Sequence, residues 1–96
     1  MIDIDKIARI QKRTKKRFLR QQKKYIKIIN KAIKYNTKHG KSYIEVSLSE
    51  PFIIVNPNFI NKIIKLYEGL GFKVEKYNKG YSGEYLLIKW KKMEDF

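Results

Sequence analysis

From Asp3 to His39 the chain contains neither Gly nor Pro, and good helix formers dominate throughout. The segment therefore reads as one long helix, or as two with a soft joint near Thr14. Asp3 or Asp5 can cap its start, and Lys34, Lys38 and Gly40 suit its end through the macrodipole and a left-handed stop. At 1.5 Å per residue, 35 residues of helix reach about 50 Å, longer than so small a domain is wide. Part of the helix must protrude or pair with another chain.

Read by sevens, the a and d positions are Ile4, Ile7, Gln11, Thr14, Phe18, Gln21, Tyr25, Ile28, Ala32 and Tyr35, a helical seam interrupted in the middle. The apolar set widens after Tyr25, where Ile26, Ile29 and Ile33 join it. The last third is thus expected on a core, whereas Gln11 to Lys24 has only Phe18 and Leu19 to bury and stands free. Ile4, Ile7, Phe18 and Tyr25 need a cover, and a homo-oligomer would supply it.

Charge follows the same division. Fifteen of the 23 Lys and Arg residues lie between Lys6 and Lys41 against only Asp3 and Asp5, a net of +13, while the remaining 55 residues carry +1. Charge this localised reads as the footprint of a polyanion-binding element. Eight like-charged pairs stand at i,i+4 along the helix, and at roughly 0.2 to 0.5 kcal/mol each they cost on the order of 2 to 4 kcal/mol at low salt. Phosphates would remove that repulsion and release counterions, so binding and helix ordering should reinforce each other. The candidate phosphate contacts are Arg9, Lys12, Arg13, Lys15, Lys16, Arg17, Arg20, Lys23, Lys24 and Lys27, with Arg13 or Arg17 able to reach base edges. An acidic protein surface is the competing partner, and a merely solvated face the plain alternative. A membrane role is disfavoured because large apolar residues are sparse between Gln11 and Lys24.

The second half reads as a compact unit. Tyr43 to Leu48 alternates as a half-buried strand with Ile44, Val46 and Leu48 inward, and Phe52 to Val55 is a second strand or a buried loop. Asn56 caps a helix with Pro57 at its first position, running to Leu70 with Phe59, Ile60, Ile63, Ile64 and Tyr67 on one side. Phe72 to Tyr77 and Tyr85 to Trp90 are further strands, with Phe72, Val74, Leu86, Ile88 and Trp90 inward. The fold class is α+β: a long basic helix (1–41) followed by a β-α-β-β two-layer sandwich (42–96) with three or four antiparallel-rich strands, one domain overall.

Parity turns Tyr43, Tyr77, Tyr85, Leu87, Lys73, Lys89, Glu45 and Glu75 to the other sheet face. Tyr beside Lys can stack the bases of a single strand; the two Glu oppose this, and self-association through the face is as good a reading. With the loop Asn78 to Glu84, the helix closed by Leu70-Gly71-Phe72 resembles the helix-then-wing end of a winged-helix DNA-binding domain. The resemblance covers about 35 residues and lacks the three preceding helices, and its recognition helix offers only Lys62 and Lys65. More broadly, residues 30–92 resemble small uncharacterised phage-encoded α+β proteins: a helix ending Lys38-His39-Gly40, an alternating strand, a helix closed by Leu70-Gly71-Phe72-Lys73-Val74, and a final Leu86-Leu87-Ile88-Lys89-Trp90 strand. That resemblance implies a viral accessory or regulatory protein and transfers no catalytic residue.

Catalytic signatures are absent. There is no Cys, and the single His39 reads as a helix cap, so thiolate and histidine metal sites and Cys/His pairs are excluded and no cofactor is expected. A metal-free ribonuclease using Lys73, Tyr77, Tyr81, Tyr85 and Lys89 is the residual enzymatic reading. The expectation is a cytoplasmic, non-enzymatic nucleic-acid-binding accessory protein, in the host cytoplasm if viral. Docking on an acidic host protein as an inhibitor or assembly factor is the alternative.

Overall fold

The computed structural model describes residues 3–92. One unbroken helix, α1 (Ile4–Lys38), precedes β1 (Tyr43–Ser47), a short α2 (Pro51–Ile54), α3 (Asn58–Gly69), β2 (Lys73–Asn78), a 3-10 turn (Gly80–Ser82) and β3 (Glu84–Lys89). There is no joint at Thr14: its hydroxyl donates to the Ile10 carbonyl at 2.9 Å and leaves the helix intact. The particle measures 67 × 27 × 21 Å, and the long dimension is set by α1.

Both long helices are closed by the same device. Past α1, the Lys41 N–H reaches the Asn36 carbonyl (2.8 Å) and the Gly40 N–H the Thr37 carbonyl (3.1 Å), with Gly40 at φ 79°. Past α3, the Phe72 N–H reaches Tyr67 (3.0 Å) and the Gly71 N–H reaches Glu68 (3.0 Å), with Gly71 at φ 96°. These are Schellman closures, and the Tyr67 and Phe72 rings meet edge-on at 5.7 Å as the accompanying apolar contact. At the other end Asp3 caps α1 by accepting from the Lys6 N–H at 2.8 Å.

The sheet has three antiparallel strands in the order β1-β3-β2, with Ile44 opposite Ile88, Val46 opposite Leu86 and Val74 opposite Ile88. Ile44, Val46, Leu48, Leu86 and Ile88 are buried on its inner face as the alternation requires. Val74, Phe72 and Trp90 are only half-buried and pack against the margin of the core cluster. Lys76 has inward parity yet is exposed: it lies beyond the helical cover and pairs with Glu84 at 3.5 Å. Over this face lie α2, α3 and the distal part of α1. Their Phe52, Ile53, Phe59, Ile60, Ile63, Tyr67 and Ile29 complete one cluster.

Two elements differ from the sequence reading. Phe52–Val55 is neither strand nor buried loop but the turn of α2, because Pro51 presets a helical φ after the extended Glu50. Phe52 and Ile53 are then buried as adjacent residues wedged into a corner, which an alternating strand would not allow. Pro57 is the N-cap of α3, so the helix opens one residue later than the Asn56 cap implies.

The heptad seam is also corrected. The buried stripe of α1 runs Phe18, Gln22, Tyr25, Ile29, Ile33, Asn36, whereas Ile28 and Tyr35 are 61% and 63% exposed. Of the seven-residue frame, Phe18, Tyr25 and Ala32 keep to the core, whereas Gln21, Ile28 and Tyr35 fall outside it. The stripe instead recurs every 11 residues: Phe18 with Ile29, Gln22 with Ile33, Tyr25 with Asn36. Tyr25, expected to face a partner chain, is an anchor within the fold. Its hydroxyl donates to the Ser47 carbonyl and its ring meets Phe52 edge-on at 5.5 Å. Phe18 likewise packs against the core cluster. A second tie joins α3 to α1, where the Tyr67 hydroxyl donates to Asn30 Oδ1 at 2.7 Å.

Candidate nucleic-acid interface

Because the core holds one stripe of α1, the positions opposite that stripe are fixed in space. Every Lys and Arg from Lys6 to Lys38 is exposed. At about 100° per residue, all except Lys15 fall within an arc of about 140° centred opposite Phe18, Ile29 and Asn36. The cations repeat with the core, every 11 residues: Arg9, Arg20 and Lys31; Lys12, Lys23 and Lys34; Arg13 and Lys24; Lys16, Lys27 and Lys38. At 3.6 residues per turn, 11 residues make just over three turns, so each row turns only about 20° per repeat, and the face runs along about 48 Å from Lys6 to Lys38.

None of these cations pairs with a carboxylate among the described residues. Among the described residues the ion pairs are Lys76 with Glu84, Lys79 with Glu45 and Lys89 with Glu75, all in the second half. Arg13, Arg17, Arg20 and Lys24 share the wall of one open depression of about 700 Å³, and the Arg17 guanidinium stands 5.4 Å from the centre of the Phe18 ring. Three planar guanidiniums and an ammonium along one row suit bidentate capture of phosphate oxygens.

The structure brings together Arg9, Lys12, Arg13, Lys16, Arg17, Arg20, Lys23, Lys24 and Lys27 from the sequence-derived set and sets Lys15 apart. Lys15 lies towards the core side and lines an apolar groove with Ile10, Phe18, Leu19 and Val55. Lys31, Lys34 and Lys38 belong to the face and were missed because the last third of the helix was assigned to the core as a whole. The 11-residue recurrence is the signal that finds them.

The outer sheet face does gather Tyr43, Tyr77, Tyr85, Lys73 and Lys89, but not as an open stacking platform. Tyr77 and Tyr85 stack on one another, centroids 5.9 Å apart and planes 25° from parallel. Lys79 lies over both rings, 5.6 and 4.7 Å from their centroids, and closes the group by pairing with Glu45 Oε2 at 2.6 Å. That hydrogen bond holds the Glu45 carboxyl below its ordinary range and the Lys79 ammonium above its own. Desolvation, followed by the neighbouring Glu45, raises the Tyr77 hydroxyl. Lys89 is engaged by Glu75 at 3.4 Å, and Tyr81 is fully exposed on the loop. Lys79 and Lys89 thus already hold carboxylates, and the aromatic surface is partly covered.

No group of three His, Cys, Asp or Glu side chains among the described residues is placed to hold a metal ion. No helix among them is long and apolar enough to cross a membrane. Neither a family model, nor a curated protein, nor a solved structure matches the chain, so the character of this face is read from its own geometry.

Proposed function

We propose that the protein is a non-enzymatic nucleic-acid-binding accessory or regulatory factor that grips phosphates with the solvent face of α1. The observation that carries this reading is the segregation of charge: a continuous face of exposed Lys and Arg without carboxylate partners among the described residues, directly opposite the stripe anchored on the core. A cationic face that served only solubility has no need of such alignment; a polyanion with regularly spaced charges does. The compact half acts as the clamp that fixes which side of α1 faces outward. Among the described residues the sheet offers no open aromatic platform, which favours backbone gripping over base stacking.

The test is fluorescence anisotropy of a labelled duplex against salt. Each phosphate neutralised adds about 0.9 to the negative slope of log affinity against log salt. A wild-type slope well beyond −4 is expected, on the order of half the available contacts. Equal affinity at about 50 and 300 mM salt overturns the proposal.

A further inference from the structure

The core-facing stripe of α1 does not end where the body ends. Ile4, Ile7, Gln11 and Thr14 continue it in phase with Phe18, beyond the reach of α2 and α3. There Ile7 is 41% and Ile10 48% exposed. At the junction, Ile10, Thr14, Phe18, Leu19 and Val55 border an apolar groove of about 390 Å³, with Leu19 46% and Val55 69% exposed.

We infer that the arm of a second copy of this chain, running antiparallel, fills this groove. The stripe is self-complementary about a point between Lys12 and Arg13. Reversing the chain there sets Ile7 opposite Phe18, Gln11 opposite Thr14, and Ile4 opposite Gln21. An apolar Ile7–Phe18 layer thus flanks the centre on each side, with Ile4 on the stem of Gln21 at the outer ends, and a polar Gln-Thr layer occupies the centre, where such layers fix register and orientation. The arrangement is isologous: each arm enters the other's groove and stops at the other's Val55. The cations of each copy lie opposite the stripe, so a second copy can pair here without setting its basic face against the first. Pairing therefore turns the two basic faces to the outsides, more than a helix diameter of about 10 Å apart and beyond the screening length at physiological salt. Lys15, the one cation off the basic face, is exposed and borders the groove, where a long side chain can lay its stem on apolar surface and keep its ammonium in water. The dimer then presents two opposed basic rows.

Sedimentation equilibrium on nuclease-treated protein in about 0.5 M salt, where polyanion bridging is suppressed, tests the pairing. A species of twice the 11.6 kDa chain mass is expected. Ile7→Asp with Ile10→Asp should weaken it at least about 100-fold. Unchanged Trp90 fluorescence and urea midpoint show that the body is intact, since both substituted positions lie outside the core cluster. The chain has no Cys, so Gln11→Cys and Thr14→Cys proteins each carry one thiol. An equimolar mixture should oxidise to the mixed disulfide in preference to either homodimer. A wild-type monomer at about 0.5 mM, a dimer undisturbed by the double Asp variant, or preferential homodimer disulfides would each overturn the inference.

Discussion

The sharpest consequence of the aligned face concerns the row Arg13, Arg17, Arg20 and Lys24, which shares one depression on α1. Replacing all four by Gln removes four potential phosphate contacts while keeping side chains that favour helix. The salt slope should fall by about 3.6, four times the 0.9 per phosphate of duplex DNA. For a fourfold rise in salt each contact accounts for about 3.5-fold in affinity, so the salt sensitivity between about 50 and 200 mM should drop by roughly 150-fold. Stability should move the opposite way. The substitutions remove the like-charged pairs Arg9/Arg13, Arg13/Arg17, Lys16/Arg20 and Arg20/Lys24, worth about 1 to 2 kcal/mol of relief at low salt. Helicity by circular dichroism should therefore rise or hold while binding weakens, which separates lost contacts from a damaged fold. Lys15→Gln is the internal control, because Lys15 lies off the face; its slope should stay within about 0.3 of wild type. A quadruple variant with an unchanged slope, or a Lys15→Gln slope that falls as far as that of Arg17→Gln, would refute the assignment of the face.

Other consequences concern the clamp. Ile63 is fully buried at the centre of the cluster, and Ile63→Ala should cost about 2 to 5 kcal/mol in urea unfolding. Gly83, at φ 85°, would place a Cβ 2.9 Å from Ser49 Oγ, so Gly83→Ala should destabilise by about 1 kcal/mol or more, read from the thermal midpoint. Burial, followed by the nearby Glu50 charge, pushes the Tyr25 hydroxyl up to about 12. The folded state thus prefers the neutral phenol, so its contribution is complete below an unfolded value near 10 and is lost as pH rises towards 12. Alkaline unfolding between those values should be steeper for wild type than for Tyr25→Phe, which also gives up the bond to the Ser47 carbonyl. Parallel slopes would show that Tyr25 does not titrate with unfolding.

What the sequence made legible follows from how local each signal is. The unbroken helix, the inward residues of β1 and β3, and the eight outward residues of the sheet were readable because helix propensity and strand parity act over a few residues. The corner at Pro51 was not: Phe52-Ile53-Ile54-Val55 is a β-rich string by composition, and only the preset φ of Pro51 and the packing corner make it helical. The phase of α1 was misread for a different reason. Gln22 is buried at 7% exposure while Ile28 is left in solvent, so hydropathy alone favours the seven-residue frame that the body's anchors at Tyr25 and Asn30 override. That same error hid Lys31, Lys34 and Lys38. The pairing of Lys79 with Glu45 was equally invisible, since it joins residues 34 apart across stacked tyrosines.

The corrected phase changes what the charge implies. Either frame turns by only about 20° per repeat, so what aligns the cations opposite the core is that they share the recurrence of the buried stripe. Because core and cations share an 11-residue recurrence, each turn of burial at one side guarantees a cation at the other, and the two cannot drift apart. The body's hold on Tyr25, Ile29 and Asn30 therefore orients side chains as far away as Arg9, about 24 Å along the axis from Tyr25, through the rigidity of the helix alone. Repulsion between successive cations works against that rigidity in the free arm, where α2 and α3 no longer help. Phosphates on one side and an apolar cover on the other act on largely separate parts of its circumference, meeting at Ile10 and Thr14, which border both the groove and the depression of Arg13 and Arg17. The energetic case for a bound polyanion and the case for a paired arm thus add, and a variant that abolishes one should leave the other measurable.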